Sequence, residues 1–163
     1  MLLVYSLERY RNVTLFRLNS NRGIEMSGIS GRCLCGAIHY ESDADPVMSA
    51  ACHCTHCRRQ TGTAFSVIVA VPADSLVVNG DTLRVYDDIG TSGLPVLRKF
   101  CGNCGSPLFT DVKAYEDLVF IKAGTLDDPE NIQVGAEIWC DSKLSWSSLA
   151  DDVPKFPGNP PPA

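Results

Sequence analysis

The chain has 163 residues, 45% of them hydrophobic and 20% charged, a balance that suits one globular domain with its own apolar core and excludes wholesale disorder. A formal net charge of −5 supplies no basic face for nucleic acid, and the Arg58–Arg59 pair is too small to track a phosphate backbone. No apolar run reaches the length that spans a bilayer, so neither nucleic acid nor a membrane is expected as a partner.

Residues 1–27 contain no cysteine, and no glycine before Gly23; they read as an N-terminal extension to which the sequence assigns no function. The opening MLLVYSLERY is too short in its apolar part for a signal peptide and is broken by Glu8 and Arg9, so a cytoplasmic protein is expected. In that reducing setting the eight cysteines read as metal ligands or redox groups before disulfide partners.

Residues 28–150 carry the signals of one mainly β domain. AIHYE (37–41) alternates as a half-buried strand does, and FSVIVAV (65–71) is a β-branched run suited to burial on both faces, ending at Pro72. TLRVYDD (82–88) alternates again after the Asn79-Gly80-Asp81 turn, and PVLRKF, PLFTDV, DLVFIKAG and AEIWC follow between residues 95 and 140. THCRRQTG allows one or two helical turns and PADSLV another short one. DDVPKFPGNPPPA (151–163) reads as a Pro-rich tail, extended or disordered.

The cysteines fall into Cys33–Cys35, Cys52–Cys54–Cys57, Cys101–Cys104 and the isolated Cys140. A closed tetrahedral zinc site takes four such ligands, and two pairs distant in sequence provide them, so Cys33 and Cys35 are paired with Cys101 and Cys104. Gly102 and Gly105 can take positive φ without steric cost, so that backbone N–H groups can point at the thiolates. Cys52, Cys54 and Cys57 are then one short of a closed site. Either the fourth position is open, as in catalytic zinc, or His53, His56 or Cys140 closes it, and spacing leaves both readings standing. A dithiol reading of Cys54–Cys57 is weaker, because no strand–helix context of the thioredoxin type surrounds it.

GRCLCGAIHYE, ACHCTHCRRQTGTAF, KFCGNCGSPLF, IKAGTLDD and EIWCDSKLSW together resemble the glutathione-dependent formaldehyde-activating enzymes and their centromere-protein-V relatives, over residues 31–146. The resemblance implies a small zinc-binding β-tent of twisted antiparallel sheets with short helical turns. It also implies two zinc ions: a structural one on Cys33, Cys35, Cys101 and Cys104, and a catalytic, open one on Cys52, Cys54 and Cys57. It further implies carbon–sulfur lyase-type chemistry on adducts of an aldehyde with a small thiol, glutathione being the name-giving one. A zinc-stapled binding module without chemistry is the competing class.

Around that centre, His53 and His56 are expected as surface residues of the knuckle, with hydrogen bonding to the sulfurs as the alternative role. One of Arg58 and Arg59 is expected to be structural and the other solvated. Phe65, Phe109, Trp139 and Trp146 are expected in the core, and Cys140 as a buried free thiol.

Overall fold

The computed structural model describes residues 28–149 and 152–160; the expected N-terminal extension (1–27) lies outside the described residues, as do 150–151 and 161–163. The β-branched run becomes β4 (Ser66–Pro72), flanked on both sides by other strands and largely buried on both faces. Around it a seven-stranded sheet is assembled from β3 (Met48–Cys52), β6 (Leu83–Ile89), β7 (Pro95–Cys101), β8 (Pro107–Val112), β9 (Leu118–Lys122) and β10 (Glu137–Ile138), in the order β10-β3-β4-β9-β8-β7-β6. Its pairs are antiparallel except β10 with β3. A three-stranded antiparallel sheet is formed by β1 (Ile29–Arg32), β2 (His39–Ser42) and β5 (Leu76–Asn79).

Because successive side chains of a strand point to opposite faces, the large sheet has two apolar sides. One side gathers Val69, Val71, Phe109, Val119 and Ile121 with Ile29 and Tyr40 of the small sheet and Ile38 just before β2. Tyr40 meets Phe109 edge-on at 4.9 Å between ring centroids. The other side gathers Ala50, Cys52, Ile68, Ala70 and Phe120, covered by Ala136, Ile138, Trp139 and Phe156. The two cores matter for function because each holds a different group of cysteines.

β6 departs from the half-buried strand its alternation predicts. It is the edge of the sheet, and Val85, Tyr86 and Ile89 are exposed. The one α-helix among the described residues, α1 (Thr55–Thr61), starts directly after the second cysteine pair and stops where Gly62 takes the left-handed conformation and donates to Arg58 O at 2.8 Å. Within the Pro-rich segment, residues 154–158 run beside β10. Glu137 N donates to Pro154 O, Phe156 N to Glu137 O and Cys140 N to Phe156 O, each at 2.9 Å. Among the described residues no helix is long and apolar enough to cross a membrane.

Candidate metal centres

The first centre is built by two turns that meet. Cys33 directly follows β1, and its carbonyl accepts from Gly36 N at 3.0 Å, while its sulfur accepts from Ile38 N at 3.3 Å. Cys101 ends β7 and its carbonyl accepts from Gly105 N at 2.8 Å, which requires the positive φ of 77° that Gly105 adopts. Gly102 does not share that conformation. It is required for close approach, since a Cβ there would lie 2.9 Å from Thr82 O and from Arg84 Cγ. The turns bring Cys33, Cys35, Cys101 and Cys104 together with all four sulfurs within 4.8 Å of one another. Cys33 and Cys35 Sγ are 3.5 Å apart, Cys35 and Cys101 Sγ 3.8 Å. Sulfurs around a tetrahedral ion bound at about 2.3 Å sit about 3.8 Å apart, so this donor set fits zinc. The Ser106 hydroxyl, 3.2 Å from Cys104 Sγ, pulls that thiol down to about 5, and Thr82 lowers Cys101 in the same way.

The second centre lies in the other core. Cys52 is the last residue of β3, fixed between Ser66 of β4 and Ile138 of β10. Cys54 caps α1: its sulfur accepts from Cys57 N at 3.3 Å, so the two-residue gap folds Cys57 back over Cys54 in the first turn. The result is a trio of free thiols, Cys52, Cys54 and Cys57, whose sulfurs lie within 4.8 Å of one another. Their mutual hydrogen bonds divide them. Bonds from Cys52 and Cys54, aided by Lys122 and Arg98, pull Cys57 down to about 2, and the same contacts together with burial push Cys52 up. Three soft, clustered, ionisable sulfurs suit a thiophilic divalent ion such as zinc.

None of the three residues that sequence offered as a fourth ligand joins this trio. His53, expected on the surface, is fully buried; it directly follows β3, and its N–H donates to Ile138 O at 3.0 Å. Its ring points to Glu137, with Nε2 2.7 Å from Oε2, and stacks obliquely on Phe65 at 5.4 Å. Cys140 lies half-buried beside His53 and Glu137 and forms a separate group with them. In that group Glu137 already has cations: Lys143 Nζ at 2.5 Å and Lys155 Nζ at 3.9 Å. Burial pushes Glu137 up, but Lys143 and His53 outweigh it and hold the carboxyl below its usual range. His56 is exposed on α1 and meets Asp88 Oδ2 at 2.7 Å.

Two basic side chains close around the trio, and sequence reading missed both. Arg98, from β7, donates through Nη1 to Cys57 Sγ at 3.9 Å and to Gln60 Oε1 at 3.2 Å, while its Nε donates to Asp88 Oδ2 at 2.7 Å. Lys122, buried on β9, donates to Ser66 Oγ at 3.2 Å. Lys122 is a lone basic residue in one strand pattern and Arg98 stands beside Lys99 in another, so only the sheet order reveals that they face the cysteines. The arginine pair divides as expected, Arg58 half-buried against Thr55 and Arg59 exposed. Of the aromatics, Phe109 is core and Trp139 packs beside the trio, but Trp146 is 73% exposed, contrary to expectation.

Residues 28–142 match the protein family described as glutathione-dependent formaldehyde-activating enzyme. Two curated fungal relatives carry that enzyme's name provisionally. One from Phaeosphaeria nodorum is 41% identical over 36% of this chain. One from Podospora anserina is 30% identical over 50% of it. The chain spans only 30% and 38% of those relatives' own lengths. A crystal structure of a Rhodobacter sphaeroides protein shares the fold, with a TM-score of 0.52 at 22% identity, over 65% of this chain and 97% of that one.

Proposed function

Because the chain belongs to the glutathione-dependent formaldehyde-activating enzyme family, we propose that it is a zinc-dependent carbon–sulfur lyase-type enzyme. It would join a small thiol, glutathione or one like it, to an aldehyde or a related electrophilic carbon, and run the reverse cleavage. The observation that carries this reading is the trio Cys52, Cys54 and Cys57: three sulfurs within 4.8 Å of one another, with His53, His56 and Cys140 all engaged elsewhere. Cys33, Cys35, Cys101 and Cys104 would hold a second zinc whose role is structural.

Zinc bound to the trio would supply a Lewis acid at which an exogenous thiol loses its proton near neutral pH and stays nucleophilic. The chain's own residues fix the geometry. Cys52 is held by strands on either side, while Cys54 and Cys57 are held by the first turn of α1. Arg98 sets the direction of the Cys57 sulfur from the opposite edge. As the sulfur–carbon bond forms, the carbonyl electron pair moves to oxygen, which takes a proton from water. Each histidine places one ring nitrogen on a carboxylate, His53 Nε2 on Glu137 and His56 Nδ1 on Asp88.

The test is NMR exchange spectroscopy of formaldehyde, glutathione and their adduct. Zinc-loaded protein is expected to accelerate interconversion above the spontaneous rate, and Cys54→Ser to abolish the acceleration. Equal rates with and without the wild-type protein, for glutathione and for simple thiols, would leave the zinc-stapled binding module as the reading.

A further inference from the structure

This chain has five lysines, and four of them meet a carboxylate: Lys99 pairs with Asp111, Lys113 with Glu116, and Lys143 and Lys155 with Glu137. Lys122 is the exception. It is the most deeply buried, 4% exposed, yet among the described residues it has no carboxylate within 4.0 Å, and the hydrogen bond of its ammonium goes to the neutral Ser66 hydroxyl. A cation removed from water without an anion is costly, so a buried lysine of this kind implies a negative charge nearby.

Sheet register shows where that charge is. Lys122 stands opposite Ile68 of β4; Ser66 is the next residue of β4 on the same face, and Cys52 stands opposite Ser66. Lys122 therefore shares a face with Cys52, two strands away with β4 between them, on the side of the sheet where the sulfur trio lies. Arg98 approaches Cys57, but Asp88 lies against its Nε and offsets its charge. Lys122 is left as the cation that no protein carboxylate answers.

We infer that Lys122 is the specificity-determining residue of the second centre: it makes the fourth position favour an anionic ligand, a thiolate, over a neutral one. This rests on the reading of the Cys52–Cys54–Cys57 centre as open. It assigns the metal position to the sulfur of the thiol and not to the carbonyl oxygen of the aldehyde, because a thiolate adds a further negative charge to a centre that already holds three protein sulfurs, and Lys122 offsets that added charge. Lys122 acts through its field and does not touch the reacting atoms.

The experiment uses the full chain loaded with cobalt(II), whose visible spectrum reports ligands entering the second centre. The probes are 2-mercaptoethanol, which has no charge other than its thiolate, and imidazole, which is neutral. In Lys122→Met the dissociation constant for 2-mercaptoethanol should rise about tenfold, while that for imidazole stays within about twofold. If Lys122→Met fails to fold or to hold cobalt, Lys122→Gln, which keeps a donor for Ser66, is read in the same titrations. Equal weakening of both probes would mark Lys122 as merely structural and overturn the inference, as would no weakening of either. A wild-type protein whose spectrum responds to neither probe would overturn the open-centre reading itself, an outcome distinct from unchanged selectivity in the variant.

Discussion

Cys54 has two tasks that can be separated by one atom. Its sulfur is a member of the trio, and it also caps α1 by accepting from Cys57 N. Serine is among the best N-cap residues, so Cys54→Ser keeps the helix start while removing the soft ligand. We expect the variant to fold, to lose one of two zinc ions by metal analysis, and to melt close to the wild type; loss of both ions would contradict the separation of the centres. Glu137 makes a pH-dependent contribution. Its carboxyl is held below the usual value of 4.5, so in the acid range the unfolded chain binds more protons there than the folded one. The stability it adds is full above that value and is lost as pH falls through the lowered one. Glu137→Gln should therefore destabilise by about 1–3 kcal/mol at neutral pH. The gap in melting temperature from wild type should narrow as pH drops from about 6 to about 3; a constant gap would contradict this role. At this scale the cysteine grouping was legible, because ligand spacing is a local property. The burial of His53 was not, because it depends on Glu137, distant in sequence.

β10 is two residues long, yet it positions the second centre, since Ile138 pairs with Cys52 and accepts from His53 N. Such a short strand holds its place through its neighbours, and its outer one is the Pro-rich segment, whose Pro154 and Phe156 bond to Glu137. Deleting residues 151–163 should lower the melting temperature and release zinc from the trio to a chelator faster than from the first centre. Unchanged release from the trio would show that β10 stands alone. The strong β-branched and alternating strands were legible in the sequence, while β3, Met-Ser-Ala-Ala-Cys, was not. Its residues have weak strand preference, and what makes them a strand is pairing with β4 on one side and β10 on the other. The Pro-rich segment was recognised as extended or disordered, but its partner could not be read from it, because composition reports chain stiffness and not contacts.

Across the whole molecule, the seven-stranded sheet keeps the two cysteine groups in separate cores. The first group ties the β1–β2 turn to the end of β7, so its metal is coupled to folding, whereas the second is an addition to a sheet that already stands. Cys101→Ser should therefore lose the fold or melt far below wild type, in contrast to Cys54→Ser; equal melting of the two by circular dichroism would contradict that division. The mainly β class and the family were legible in the motifs, while the two-core arrangement required strand order. The central claim is that three protein sulfurs hold a metal whose fourth ligand comes from outside the chain. Zinc-edge X-ray absorption with and without added thiol tests it most directly. The account predicts about two zinc ions sharing seven sulfurs, about 3.5 per ion with one lighter neighbour on one of them, rising to about 4 when thiol is added. One zinc per chain, or two with four protein ligands each and no response to thiol, would contradict it.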